Sequence, residues 1–360
     1  MKIGILGAGQ LGRMLGLAAI PLGIECRFLD RSPQAPAAAL GGMRLAALDD
    51  LDAITELART VDVLTPEIEN VATEALEAAS AHCKVAPPPG IVAAAQDRLR
   101  EKQLLRSRSI PTARYHVLDS AADAAGLAAS EDHPYLIKTR RLGYDGKGQR
   151  LAKTTQEAVY AFDVLGGVAS IAEELVEFEC EVSLIGVRAA SGETAFYPLC
   201  ENSHDDGILS CTIAPYEDER LQSQAETWLA DLMEHTAYVG VLTVEFFVTS
   251  AGLIANEIAP RVHNSGHWTI EGAETSQFEN HIRAIAGLPL GDTTPRGHSA
   301  MLNLIGTMPE RATLLAAPGA HLHDYGKAPR PGRKLGHCTL LDRNRDRLLK
   351  RLEALKSLIS

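Results

Sequence analysis

The chain opens on an apolar run, "KIGIL" (2–6), then a glycine turn, "GAGQLG" (7–12), then a long apolar stretch, "RMLGLAAIPLG". That order predicts strand, turn and helix. "IECRFLD" predicts a second strand ending in Asp30, and "DDLDAITELARTV" a helix with Asp49 or Asp50 available as its cap. "DVLTPE" reads as a third strand broken by Pro66, "NVATEALEAASAHC" as a helix, and "KVAPPPG" closes the unit with turn residues. Strands alternating with helices predict a parallel, doubly wound sheet over residues 1–95.

The pattern then changes. "IVAAAQDRLREKQLLRSRSI" predicts one long helix leading to Pro111, and "PYLIKTR" a strand. "RRLGYDGKGQR" (140–150) places Gly143, Gly146 and Gly148 among Tyr144, Asp145 and Lys147, with arginines at both ends. Because "GQRLAKT" resumes as a strand, the glycines read as a turn between two strands. "ASIAEELV", "ECEVSLIGVRA" and "TAFYPLCENSH" are strand-like, "ERLQSQAETWLADLMEHTAYV" is an amphipathic helix, and residues 241–258 read as a hairpin. After about residue 295 the pattern predicts short strands, many turns and a basic run, "RPGRKLGH". The boundaries expected are 1–95, 96–295 and 296–360.

Composition narrows the chemistry. A net charge of -11 argues against a nucleic-acid partner and means that an anionic substrate needs local cations, so Arg140, Arg141 and Lys147 stand out. The six cysteines form no C-x-x-C pair, which suggests reduced thiols in a cytosol rather than a zinc site or disulfide framework. No apolar run reaches ~18 residues, so no membrane span is expected.

Three features carry candidate chemistry. Gly7 to Gly12 fit G-x-G-x-x-G between a strand and a helix, where free N–H groups and the helix dipole favour an anion. With Asp30 at the end of the next strand, this suits a nicotinamide-dependent dehydrogenase; a sugar phosphate, or close packing alone, satisfies the same glycines. The 143–148 turn, with Lys138 on the preceding strand, could fold over a polyphosphate. Finally, Glu245 and Glu257 should face each other across the hairpin. Opposed carboxylates repel, and a divalent cation reverses that cost, Mg²⁺ taking one or two carboxylates plus substrate phosphates.

With these residues in view, the chain resembles the ATP-grasp superfamily, and more closely the N5-carboxyaminoimidazole ribonucleotide synthetase family, through "GAGQLG", "PEIEN", "GYDGKGQ", "EELV", "NEIAPRVHNSGHWT" and "RKLGH". The resemblance implies an α/β fold of ATP-grasp architecture. An N-terminal Rossmann-like parallel-sheet domain, a central ATP-grasp α+β domain and a small C-terminal β-rich domain are expected. It further implies that Arg98 and Lys138 contact ATP phosphates and that Gly143, Tyr144, Asp145, Gly146, Lys147, Gly148 and Gln149 cover them. Glu173, Glu174, Leu175 and Val176 would meet adenine, with Glu173 accepting from its amine. Glu181 would hold the ribose, His204 would lie nearby, and Glu245 and Glu257 would bind Mg²⁺ beside Asn256. For the second substrate, 5-aminoimidazole ribonucleotide, Gln10, Leu11, Glu67, Tyr144, Asp145, Lys147 and Lys334 are implicated. Arg261, His263 and Asn264 would surround bicarbonate, and Asp145 would accept from the substrate amine.

The activity implied is ATP- and bicarbonate-dependent carboxylation of that amine through carboxyphosphate, in the cytoplasm, by a homodimer without nucleic-acid or membrane partners. Pro66 departs from the family pattern and resembles the related formate-dependent glycinamide ribonucleotide transformylase, leaving open whether Glu67 or Glu69 meets the substrate. Leu142 and Val262 also depart. The alternatives are that transformylase, the dehydrogenase, and a catalytically silent nucleotide sensor.

Overall fold

The computed structural model describes residues 1–128, 133–143 and 147–359. Its first unit is a parallel sheet of β1 (Lys2–Leu6), β2 (Glu25–Asp30), β3 (Gly42–Leu45), β4 (Val63–Pro66) and β5 (Lys84–Val85), in the order β3-β2-β1-β4-β5. The connecting helices include α1 (Gln10–Ala19), α2 (Leu51–Ala58), α3 (Thr73–Ala79) and α4 (Pro89–Ala95). Asp50 caps α2 by accepting from Ala53 N–H at 2.9 Å. The strand order reverses between β1 and β4, so the crevice at their carboxyl ends is where such a sheet binds ligands. β3 and β5 are too short to leave a periodic signal and were not expected. Pro66 is tolerated as the last residue of β4.

The single helix expected over 91–110 is two helices. Asp97 turns the chain and accepts from Leu99 and Arg100 N–H, which starts α5 (Arg98–Ser107) afresh. This break places Arg98 and Lys102 in the first turns of a separate helix.

A small antiparallel sheet follows, made of β6 (Tyr115–Leu118), β7 (Tyr135–Thr139), β8 (Gln149–Ala152) and β9 (Ser170–Glu174), in the order β6-β9-β7-β8. α6 (Ala121–Ala125) and α7 (Thr155–Val164) share its core, Phe162 and Ala158 packing with Ile137 and Ala172. The glycine stretch joins β7 to β8 as expected; Tyr144, Asp145 and Gly146 lie outside the described residues.

The remaining strands form one nine-stranded sheet. These are β10 (Cys180–Arg188), β11 (Thr194–Phe196), β12 (Cys200–Asp205), β13 (Ile208–Ala214), β14 (Gly240–Thr249), β15 (Gly252–Ala259), β16 (His298–Ile305), β17 (Ala320–Asp324) and β18 (Lys334–Asp342). The path runs β15-β14-β10-β12-β13-β16-β18-β17, with β11 beside β10. "TAFYPLCENSH" is split between β11 and β12 around Pro198, which has no N–H for a ladder. α8 (Glu219–His235) and α10 (Gln277–Ala286) pack on the sheet's first half, while α9 (Thr269–Gly272) meets α10 and β18. The C-terminal part is richer in helix than its turn-laden sequence suggests, with α11 (Arg311–Ala316) and α12 (Arg345–Ile359). β13 pairs with β16, so the sheet runs without interruption into the C-terminal part. Leu15 and Phe28 share a buried core with Phe278, Ile282 and Ile285, which joins the first unit to α10.

Candidate active site

The glycine motif after β1 holds an anion, and that anion is the protein's own. Glu67 follows β4 across the switch point; its Oε1 accepts from Gly9 N–H at 2.5 Å and its Oε2 from Gly12 N–H. A Cβ on Gly9 would stand 2.8 Å from Glu67 Oε1, and one on Gly12 2.9 Å from Oε2. The glycines are therefore a cradle for this carboxylate. Gln10 accepts from Lys327 Nζ, and Leu11 packs against the core. Asp30 is also used internally, accepting from Ala8 and Ser32 N–H, both at 2.9 Å. Burial pushes Glu67 up to about 7 against the pull of its two N–H donors.

On the polyphosphate side, Lys138 projects from β7 into a buried charge cluster. Glu173 on β9 takes Lys138 Nζ at 2.8 Å and Lys102 Nζ at 3.0 Å. Its carboxylate is thus engaged by two lysines. Burial opposes its ionisation, but the two ammonium groups outweigh burial and hold it below the usual range. Lys138 is itself lowered, by burial first. Arg98 reaches the other sheet, its Nη1 3.4 Å from Glu257 Oε2. The flanking arginines are held by neighbouring polar side chains. Arg140 is bidentate to Asp97 (3.0 and 2.6 Å), and Arg141 donates to Gln96 Oε1 at 2.9 Å. Gly148 has φ +71°, and a Cβ there would lie 2.7 Å from Thr139 Oγ1, so the turn requires glycine at this position. Gly143 lies beside Arg98, and Gln149 pairs with Lys138 in the β7–β8 ladder. Glu174 continues β9, and Leu175 after it is half-exposed.

The hairpin places Glu245 opposite Glu257, as the spacing predicts. The register slips just beyond that pair, so that Asn256 and Glu257 together face Glu245. Such a bulge redirects side chains next to functional sites. Asn256 Oδ1 is buried with no hydrogen-bond partner among the described residues. Burial, then the charge of Glu257, pushes Glu245 up to about 8. Two carboxylates that cannot comfortably ionise together, with an unused amide oxygen beside them, fit a divalent cation with few protein ligands. Glu181 and His204 stand along the neighbouring strands as a pair at 2.9 Å, and Glu181 outweighs burial to raise His204.

The loop after β15 completes the site. Arg261 is bidentate on Glu69, with Nη2 3.0 Å from Oε1, and its Nη1 donates to Val262 O. This answers which glutamate does what. Glu67 occupies the glycines, and Glu69 holds Arg261. Asn264 is likewise committed, exchanging amide hydrogen bonds with Asn303 of β16 (3.1 and 2.8 Å). His263 Nε2 lies 3.4 Å from Glu245 Oε1; its backbone is gripped at both ends by Gln277 (2.9 and 2.6 Å), and burial keeps its ring well below the usual range. Lys334 begins β18 and contributes positive charge at Glu245, His204 and His263. Sequence reading missed Lys102, Lys327, Gln277 and Asn303. Only Lys327, near the basic run, carried a signal that could have found it; the others sit in ordinary helix or strand patterns.

Fold and site together define an ATP-grasp protein. Its family models match in chain order: a ribonucleotide synthetase preATP-grasp domain over residues 1–96, an ATP-grasp domain over 103–278, and a phosphoribosylaminoimidazole carboxylase C-terminal domain over 299–351. A curated relative from Pseudomonas aeruginosa, named N5-carboxyaminoimidazole ribonucleotide synthase, is 48% identical over 359 residues, covering 100% of this chain and 99% of that protein. The crystal structure of N5-carboxyaminoimidazole ribonucleotide synthetase from Thermus thermophilus superposes with a TM-score of 0.94 at 49% identity, covering 99% of this chain and 98% of that one. That of the Aspergillus clavatus synthase, in complex with ADP and 5-aminoimidazole ribonucleotide, gives 0.92 at 31% identity, with 99% and 98% covered. The chain belongs to the N5-carboxyaminoimidazole ribonucleotide synthase family.

Proposed function

We infer that the protein carries out ATP-dependent carboxylation of 5-aminoimidazole ribonucleotide to N5-carboxyaminoimidazole ribonucleotide, releasing ADP and phosphate, in purine biosynthesis. The observation that carries the reading is 48% identity over the full length of a synthase of this name, joined to a cleft where Lys138, Arg98 and the Glu245–Glu257 pair converge.

We further propose bicarbonate as the carbon source. An oxygen of bicarbonate attacks the γ-phosphorus, the bond to ADP breaks, and carboxyphosphate forms as bicarbonate loses its proton. The substrate amine then attacks the carboxyl carbon, the carbon–oxygen bond to phosphate breaks, and the amine proton leaves with the phosphate. Lys138 and Arg98 neutralise the phosphoryl oxygens, and the 143–149 turn covers them to keep water from the labile intermediate. Glu245, Glu257 and Asn256 would hold Mg²⁺, which supplies charge neutralisation on the phosphates. Glu181 would hold the ribose and Glu173 to Val176 would meet adenine, with His204 beside Glu181.

Each oxygen of Glu67 accepts one N–H and can accept again, so the cradle presents a fixed carboxylate to ribose hydroxyls. Lys327 and Lys334 are cations for the substrate's phosphate, and Arg261, His263 and Asn264 surround bicarbonate and the carboxylated intermediate. Asp145 and Tyr144 keep their proposed contacts with the imidazole. A cytoplasmic homodimer completes the reading. Among the described residues no helix is long and apolar enough to cross a membrane.

ADP release from ATP is the test. It should require both bicarbonate and 5-aminoimidazole ribonucleotide; release that ignores the ribonucleotide overturns the reading.

A further inference from the structure

Away from the cleft, where β18 turns into α12, a cavity of about 590 Å³ is lined by Arg296, Arg343, Arg347, Arg351, Asp342 and Glu274. Four guanidinium groups face two carboxylates, a net charge of +2 in a chain whose overall charge is -11. None of the residues assigned to the nucleotide cleft lines it.

The cations are fixed rather than loose. The Asp342 side chain is 2% exposed and serves two arginines at once. Arg347 approaches it bidentately, Nε and Nη2 each at 2.6 Å, and Arg351 Nη1 is 2.7 Å from its second oxygen. Asp342 also accepts from Asn344 N–H, and Asn344 in turn accepts from Arg347 N–H, both at 2.9 Å, which locks the start of α12. Across the cavity, Arg296 is anchored through its backbone, donating to Gly272 O at 2.8 Å. Its guanidinium is only 3.3 Å from Glu274. Arg343 has no ion pair or hydrogen bond among the described residues.

One buried aspartate cannot use five donors from each of two guanidinium groups. The remaining N–H groups, with Arg296 and Arg343, converge on a space of the size that holds a nucleotide-sized ligand. Guanidinium is the side chain suited to bidentate phosphate recognition, and fixing it beforehand lowers the entropy lost on binding. We propose that this cavity is a second, non-catalytic binding site for a phosphate-bearing anion.

The test is calorimetric titration of the full chain with inorganic pyrophosphate, without magnesium, at about 0.15 M salt so that loose surface attraction is screened. The double variant Arg296→Gln/Arg343→Gln should lose one class of site, weakened about a hundredfold at roughly tenfold per guanidinium contact. Its ADP affinity and turnover should match the wild type, since neither residue belongs to the cleft, and this also shows that it is folded. Identical pyrophosphate isotherms for the two proteins overturn the proposal, as does wild-type binding no tighter than about 1 mM. A parallel arm with AMP separates the sources. Competition with pyrophosphate at the arginine-dependent site identifies a nucleotide as occupant, and its absence identifies an inorganic or sugar phosphate.

Discussion

Replacing Glu67 by glutamine isolates the titration of one buried carboxylate. In the folded protein burial pushes Glu67 from its ordinary value of 4.5 up to about 7, although Gly9 and Gly12 donate to it. An acid with a raised folded pKa binds its proton more tightly in the folded state. Its contribution to stability is therefore complete below pH 4.5 and is lost as pH rises through 7. At about 1.4 kcal/mol per pH unit the loss across that window is about 3 kcal/mol. At roughly 2 °C per kcal/mol, this is a swing of about 6 °C in melting temperature. Glutamine has the same shape and does not titrate. Scanning calorimetry of wild type and Glu67→Gln at pH 5, 6, 7 and 8 gives a difference in which other titrating groups cancel. The wild type should lose about 5 °C relative to the variant between pH 5 and 8, since part of the loss falls below pH 5. A constant difference refutes the reasoning. A difference of opposite slope shows that the two N–H donors and the helix dipole, rather than burial, govern this carboxylate.

The same cradle predicts that Gly9→Ala, whose Cβ would stand 2.8 Å from Glu67 Oε1, lowers ribonucleotide-dependent turnover at least tenfold while ADP affinity is retained. Equal loss of both would show a general folding defect. Glu257→Gln should abolish turnover with an unchanged melting profile, because it removes half of the carboxylate pair; near-normal ADP release would refute a metal role. Lys102→Met removes one of two cations from the buried Glu173 and should cost about 3 kcal/mol in denaturant unfolding, the lower end for breaking a buried pair, since Lys138 remains. Asn303→Leu unties Asn264 and should raise the KM for bicarbonate more than the KM for ATP, read in steady-state kinetics.

Much of the architecture was legible in the amino-acid order alone. The alternation of apolar strands and helices in the first 95 residues, the glycine turn between two strands, and the hairpin that sets Glu245 against Glu257 all follow from local periodicity, and all are present. Local pattern did less well where one residue outvotes its neighbours. Asp97 breaks a helix that its flanks would continue, and the slip at Glu245 brings Asn256 into line with Glu257.

Which charge meets which was decided only by the tertiary structure. The sequence contains 35 lysines and arginines and 46 aspartates and glutamates, so almost any pairing is conceivable on paper. Folding brings Glu67 onto the glycines of a helix start 55 residues earlier, gives Glu173 to two lysines, and gives Arg261 to Glu69 across 192 residues. Periodicity reports on neighbours within a turn or a strand, whereas an ion pair depends on contact within a few ångströms between distant segments. The amino-acid order therefore determined the elements and the kinds of chemistry available, and the packing of two sheets and a parallel crevice chose the partners.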